Sequence, residues 1–209
     1  MSRFFKLSAM AALVMASAPA AQAFEAGEFI GRAGVATVDP DSSSSNLNSD
    51  ALGELVGARV SVDDNTQLGL TFSYMLTDQI AVGVLASTPF KHDINGDGSV
   101  LGGAGKLAET KHLPPTITVQ YFPMPSGSKL QPYAGIGVNY TNFFEEKTTQ
   151  TLTDTYANLA PTVTSTDIEL DDSLGLAAEV GMDYMVTESV GVNASVWWLD
   201  IDTDATITA

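Results

Sequence analysis

Hydrophobic and polar residues alternate along most of residues 174–204. The large apolar positions on one parity include Leu174, Leu176, Val180, Met182, Tyr184, Val192, Val196 and Trp198; the other parity holds small or polar residues apart from Met185 and, from residue 197 onward, Trp197, Leu199 and Ile201. A repeat of two indicates a β-strand, because successive side chains point to opposite faces. Residues 187–189, Thr-Glu-Ser, divide the segment into two halves. We therefore predict a hairpin with one continuous apolar face.

Five earlier segments alternate in the same way: 28–38, 67–75, 80–90, 116–122 and 131–143. Short connections of a few residues (77–79, 123–129 and 187–189) alternate with long ones (39–66, 91–115 and 145–173). The long connections are rich in Ser, Asn, Asp, Thr and Gly, which predicts solvated loops. Strands of about ten residues with short turns on one side and long loops on the other predict an all-β transmembrane antiparallel up-and-down β-barrel. A soluble β-sandwich or lipocalin-like barrel is the alternative, and it would place the apolar parity inside.

The N-terminus has the three parts of a secretory signal peptide. Arg3 and Lys6 precede an apolar run at 7–20 and the small-x-small sequence at 21–23. We expect cleavage near Ala23, so that residues 1–23 are the signal peptide and 24–209 the barrel domain. No later run of roughly eighteen apolar residues predicts a transmembrane helix. The formal net charge of −16 argues against nucleic acid as a partner, and the lack of cysteine excludes disulfides and thiolate metal sites.

Four segments resemble the outer membrane protein W (OmpW) family: 65–72 (NTQLGLTF), 111–116 (KHLPPT), 132–140 (PYAGIGVNY) and 195–202 (SVWWLDID). The resemblance implies an eight-stranded barrel in the outer membrane of Gram-negative bacteria that passes small hydrophobic molecules, with some members serving as bacteriocin receptors. Family members continue into an eighth strand that ends in an aromatic residue, whereas this sequence ends at Ala209 with only seven strands countable. The count of seven indicates that the closing C-terminal strand is missing. Because an open edge cannot lie in lipid, we expect a complete barrel to need a further strand. A fragment, a truncated gene and a swapped assembly remain open.

The lumen of an eight-stranded barrel is just wide enough to be filled by side chains, which excludes a wide aqueous pore. On the inward parity toward the short turns we expect a polar floor formed by Glu28, Arg32, Glu179 and Asp183. Arg32 should pair there with a carboxylate, because an unpaired charge in a low-dielectric lumen is costly.

Toward the long loops the inward parity becomes apolar. We expect a lumen constriction that binds an apolar substrate and is formed by Leu85, Trp197, Leu199 and Ile201. The resemblance matches Leu85 and Trp197 to the residues that narrow the lumen in the family. Plain packing of the lumen by large side chains is the alternative.

Three prolines, Pro89, Pro114 and Pro115, predict a lateral gap in the wall. Proline has no N–H for a ladder, so the prolines weaken strand pairing where they face each other. An apolar solute could then leave sideways into the outer leaflet, the route that the resemblance also implies. Alternatively, these prolines merely protect a loop base.

Two functions follow from these features. The first is a narrow channel for small hydrophobic molecules. The alternative is a surface barrel without transport, whose acidic loops lie beside lipid and lipopolysaccharide and act as a receptor for bacteriocin, phage or host molecules. An enzyme is not expected, because His92 and His112, at the two ends of one loop, have no placed nucleophile. Neither a cofactor nor a metal site is expected: residues 93–98 resemble the start of a calcium loop, but its twelfth position is Ala104.

Overall fold

The computed structural model describes the backbone of residues 13–16, 24–41, 47–49, 53–55, 57–159 and 162–208. Its elements, in chain order, are β1 (Leu13–Ala16), β2 (Phe29–Val38), β3 (Leu47–Ser49), β4 (Gly53–Leu55), β5 (Arg59–Val62), β6 (Asn65–Met75), β7 (Ile80–Ser87), β8 (Phe90–Asp97), α1 (Gly98–Leu101), β9 (Lys106–Leu113), β10 (Thr116–Tyr121), β11 (Leu130–Thr148), α2 (Gln150–Leu159), β12 (Asp167–Leu170), β13 (Ser173–Met185), β14 (Gly191–Leu199) and β15 (Ala205–Thr208). Neither described helix is long and apolar enough to cross a membrane.

Eight strands pair side by side in a cycle. The order is β2, β6, β7, β10, β11, β13, β14 and β1, and β1 pairs again with β2; every pair is antiparallel. The seven strands expected after the signal peptide are all present, with β7 ending at Ser87 rather than residue 90. The β-barrel architecture is therefore confirmed.

The eighth position in this cycle is held by β1. Its residues Leu13 and Val14 pair with β14, and Leu13–Ala16 pair with residues 31–34 of β2. These four residues lie within the predicted signal peptide. Without these four residues, the described strands leave one edge of β2 and one of β14 without a neighbour, the edge that counting seven strands predicts.

The apolar parity faces outward. Leu174 is 78% exposed, Ile136 73% and Val180 59%, whereas residues of the opposite parity, such as Asn139 and Thr118, are buried. A band of exposed aliphatic and aromatic side chains encircles the barrel, which suits hydrocarbon and would be unfavourable in water. The choice of a membrane barrel over a soluble one is confirmed.

The expectation of solvated loops is wrong for most of residues 91–115 and 145–173. β11 runs on past the barrel to Thr148 and pairs with β9, which pairs with β8, which in turn pairs with β5. These upper strands, with α1, α2, β12 and β15, form what we call the extension. Buried residues hold it together, in clusters around Leu107 and Leu152 and around Ile94 and Ile168. The polar composition of these segments gives little sign of these few apolar residues, and the strand pairs satisfy backbone N–H and C=O groups.

Candidate functional site

An apolar cluster is buried at the end of the barrel where the short turns lie. This turn-end cluster consists of Phe24, Ile30, Met75, Ala81, Phe122, Tyr133 and Met185. The ring centroids of Phe24 and Phe122 are 5.3 Å apart, and those of Phe122 and Tyr133 are 5.1 Å apart. This cluster was not predicted from the sequence, whose inward parity indicated a polar floor at this end. The available signal was Phe122, which continues the inward parity of Thr118 and Gln120.

Above the turn-end cluster lies a layer of buried polar side chains built around Arg32. Its Nε and Nη2 atoms donate to Oδ1 and Oδ2 of Asp183 at 3.0 and 2.6 Å, and its Nη1 donates to Ser73 Oγ at 3.0 Å. The guanidinium lies 4.9 Å from the ring centroid of Tyr133, and Asn193 Nδ2 donates to Asp183 Oδ1 at 2.6 Å. The carboxylate pair expected for Arg32 therefore forms, and it is bidentate, the strongest arrangement for these groups.

Glu179 lies on β13, as Asp183 does, and bonds across the lumen to β10. Its Oε1 accepts hydrogen bonds from Thr118 Oγ1 at 2.6 Å and from Gln120 Nε2 at 2.8 Å. A side chain at Gly135 would collide with this carboxylate, so the glycine makes room for it. Glu28 is only half-buried, and no hydrogen bond among the described residues joins it to Arg32, Asp183 or Glu179. The structure thus groups three of the four residues expected in the polar floor; we call these three, with their partners, the polar layer.

The third layer is apolar again and faces the extension. The mouth cluster contains Leu85, Trp197, Leu199 and Ile201 together with Ala36, Val38, Phe90 and Ala177, and Phe143 packs against it. Leu199 is fully buried and Trp197 is 4% exposed. The structure brings all four residues of the expected lumen constriction together. Phe90 and Phe143 were missed as members, because both stand where a barrel strand passes into the extension.

The three prolines lie at an interruption of the wall beside the mouth cluster. The ladder between β7 and β10 ends at the pair Leu85–Thr116, and pairing resumes between β8 and β9 at Phe90–His112. In the described part of the chain no strand pair joins residues 86–89 to residues 113–115. Their backbones bond to strands on the far sides instead: Thr88 N donates to Leu68 O, and Tyr140 N donates to Pro115 O.

His92 and His112 meet at the base of the extension, as their positions at the two ends of one segment allowed. Their Nε2 atoms are 2.9 Å apart, and His92 Nδ1 is 2.6 Å from the backbone oxygen of Asp63. The His112 ring packs between Phe90 and Phe143, with centroid distances of 5.5 and 5.6 Å. Burial, with a smaller contribution from His92, lowers the pKa of His112 to about 3, and burial also lowers the pKa of His92. Both rings are therefore neutral near pH 7.

Lysines form ion pairs with carboxylates on the strands of the extension. Lys106 pairs with Asp93 at 2.8 Å and with Glu109 at 2.6 Å, and Lys91 also reaches Glu109 at 2.8 Å. Asp93 begins the segment that resembles a calcium loop, and here it lies in a strand and is held by a lysine. No group of three or more potential metal ligands occurs among the residues that the structure describes.

Comparison with known proteins gives a consistent set of relatives. The OmpW family model matches residues 25–209. Outer membrane protein W of Vibrio cholerae is 47% identical over 201 residues, covering 96% of this chain and 86% of that protein. The crystal structure of the outer membrane protein OprG from Pseudomonas aeruginosa superposes with a TM-score of 0.80 at 44% identity, covering 91% of this chain and 86% of that one. The dibenzothiophene metabolism operon protein PahQ of Pseudomonas aeruginosa is 28% identical over 149 residues, covering 71% of this chain and 63% of that protein.

Proposed function

This chain belongs to the OmpW family of β-barrels in the outer membrane of Gram-negative bacteria, and we propose that it takes up small hydrophobic molecules at the mouth cluster and releases them sideways into the outer leaflet. The observation that carries the proposal is the sequence of layers in the lumen. The buried apolar mouth cluster adjoins the polar layer, since Trp197 pairs with Glu179 in the ladder between β13 and β14.

The mouth cluster has the composition of a site for an apolar ligand. Trp197, Leu199 and Leu85 supply large apolar surfaces, and binding sites for small molecules are mostly lined by such residues. The polar layer below is unsuited to the same solute. An apolar molecule crossing it would have to separate Arg32 from Asp183, and separating a buried ion pair is costly.

The interruption between residues 86–89 and 113–115 supports a lateral exit. It lies next to Leu85, a member of the mouth cluster, so a solute bound there is beside the one break in the described pairing of β7 with β10. A side chain at this interruption can therefore move without the loss of hydrogen bonds between neighbouring strands. The name of the PahQ relative, which places it in a dibenzothiophene metabolism operon, is compatible with an apolar substrate.

Replacing Pro114 and Pro115 by threonine tests the lateral route. Threonine has an N–H that can extend the ladder from Thr116 toward His112, so uptake of a hydrophobic fluorescent solute should fall to the level of cells lacking the protein. Pro132→Thr is the matched control, because Pro132 lies in the continuous ladder between β11 and β13. Unchanged uptake in the Pro114 and Pro115 variant would contradict the lateral route. Wild-type uptake no higher than that of cells lacking the protein would favour the receptor alternative.

A further inference from the structure

The hydrogen bonds of the two histidines define a polar anchor beside the mouth cluster. We propose that His112 Nδ1 accepts a hydrogen bond from the transported molecule, so that the site prefers apolar molecules carrying one hydroxyl or N–H group over hydrocarbons, ethers and esters. This inference rests on the proposed function and specifies the substrate class of the same site.

The hydrogen bond between His92 and the backbone of Asp63 fixes the direction of the one between the two histidines. The backbone oxygen of Asp63 can only accept, so His92 Nδ1, at 2.6 Å, must carry a proton and donate it. A neutral imidazole has one donor and one acceptor nitrogen, which makes His92 Nε2 an acceptor. His112 Nε2, 2.9 Å away, must then donate to it. The proton of His112 is thereby fixed on Nε2, and His112 Nδ1 is left with a lone pair.

The neutral state on which this assignment depends is supported by the surroundings. Both rings are almost fully buried, His92 at 2% exposure and His112 at 4%, and burial disfavours the charged imidazolium. The rings of Phe90 and Phe143 flank His112 and offer no counter-charge.

The acceptor at His112 Nδ1 has no hydrogen-bond partner among the described residues. The nearest hydroxyl along the strand, that of Thr110, donates instead to the backbone oxygen of Lys111. Buried polar atoms are nearly always hydrogen-bonded, so an isolated acceptor of this kind calls for a donor from elsewhere.

The position of this acceptor selects the kind of donor. Phe90 belongs to the mouth cluster and Phe143 packs against it, and the His112 ring contacts both. A molecule whose apolar body packs on Trp197 and Phe90 would bring a terminal group next to His112. An alcohol, a phenol or an indole-type N–H satisfies the lone pair, whereas an ether or ester places a second acceptor against it. A site built around an unpaired polar atom discriminates strongly by this criterion.

Two isomeric ligands, octan-1-ol and 1-methoxyheptane, separate the two chemistries at equal size. The protein is reconstituted in lipid nanodiscs with ¹⁵N-labelled histidine, and it contains only two histidines. A Trp198→Phe background leaves Trp197 as the single tryptophan, whose fluorescence reports occupancy of the mouth cluster.

We expect His112 Nδ1 to be unprotonated at pH 7, and its ¹⁵N resonance to move on addition of octan-1-ol and not of 1-methoxyheptane. The alcohol should bind about tenfold more tightly by Trp197 fluorescence. Equal binding of both ligands without a shift at Nδ1, or a protonated Nδ1 at the outset, would overturn the inference and leave the proposed function intact. If neither ligand changes Trp197 fluorescence, the proposed function fails with it.

His112→Phe provides the matched variant, because phenylalanine can keep the stack between Phe90 and Phe143 while removing the acceptor. It should bind both isomers with the affinity that the wild type shows for the ether. His92→Phe removes the group that fixes the His112 proton, and it should reduce the preference for the alcohol without affecting binding of the ether. A retained tenfold preference in His112→Phe would overturn the inference.

Discussion

Arg32 satisfies three of its N–H groups within the lumen and is 2% exposed. Two go to Asp183 and one to Ser73, so the guanidinium cross-links β2, β6 and β13 through the centre of the barrel. The positions of Asp183 on β13 and Asn193 on β14 are fixed together, since Asn193 also binds Asp183. The residue contributes both the charge balance and the rigidity of the polar layer.

Arg32→Met should destabilise the barrel by about 3–5 kcal/mol, because it leaves the Asp183 carboxylate buried without its counter-charge. The free energy of unfolding can be measured by urea titration in detergent micelles, following the change in electrophoretic mobility between folded and unfolded barrel. The double variant Arg32→Met with Asp183→Leu removes both charges and should recover most of the loss. A double variant as unstable as the single one would show that Arg32 acts through packing and not through its charge.

The two histidines make the base of the extension sensitive to acid. Burial lowers the pKa of His92, and the hydrogen bond to the Asp63 backbone with the carboxylates of Asp64, Asp63 and Asp93 partly counters it, whereas burial and His92 lower the pKa of His112 from 6.5 to about 3. In the unfolded chain a histidine binds its proton near pH 6.5, so the stability that the neutral pair contributes is complete above that pH. It is lost as the pH falls from about 6.5 toward 3.

We expect this loss to appear as local opening of β8 and β9 in acid. Hydrogen exchange, corrected for the intrinsic pH dependence of the exchange rate, should show protection of these strands falling between pH 6.5 and 4 more steeply than that of β13. A variant with both histidines replaced by phenylalanine should lack the difference. Equal pH dependence in wild type and variant would assign the effect to other groups.

The barrel strands could be predicted from the sequence because each carries its own signal. Alternation over ten or so residues identifies a strand, its apolar parity identifies the lipid face, and a single parity shift would invert both. The exposed positions of Ile136 and Val180 and the buried positions of Thr118 and Asn139 follow this rule without exception.

The extension could not be predicted in the same way. Its strands pair over short stretches, with shifts in register between Phe144 and Lys147 and between Ile94 and Asn95, so their alternation is broken. They are stabilised mainly by neighbours distant in sequence, such as β12 against β15. A segment rich in Ser, Thr and Asp is predicted to be a loop when the sequence gives no local sign of such long-range pairing.

The inward or outward position of residues along the barrel strands predicts only part of the candidate site. Leu85, Trp197 and Leu199 could be assigned to one end of the lumen because they share an inward parity near the long connections. The contacts between His112 and Phe143 depend instead on the register between β9 and β11, which no local pattern specifies. The position of the wall interruption was predicted from the prolines alone, because the sequence itself shows where a backbone N–H is missing.

The molecule as a whole has two closures in series below the mouth cluster. The polar layer is held by a bidentate ion pair, and the turn-end cluster seals the lumen beneath it with Phe24 and Phe122, both fully buried. Tyr133 belongs to the turn-end cluster and its ring also lies against Arg32, so the two layers share a side chain. A path through the full length of the barrel would need both to open at once, whereas a lateral path needs neither.

Matched truncations at the two ends of the lumen therefore distinguish the two paths. Phe122→Ala hollows the turn-end cluster but leaves the polar layer closed, so uptake of a hydrophobic fluorescent solute and ion conductance in planar bilayers should both match the wild type. Trp197→Ala removes the largest apolar surface of the mouth cluster and should weaken binding of the solute at least about tenfold, as loss of a buried aromatic anchor does. Since both variants replace a buried aromatic residue by alanine, folding yield serves as a common control. Raised conductance or uptake in Phe122→Ala would show that solutes descend through the barrel, and the wall beside Leu85 would then have no part in their release.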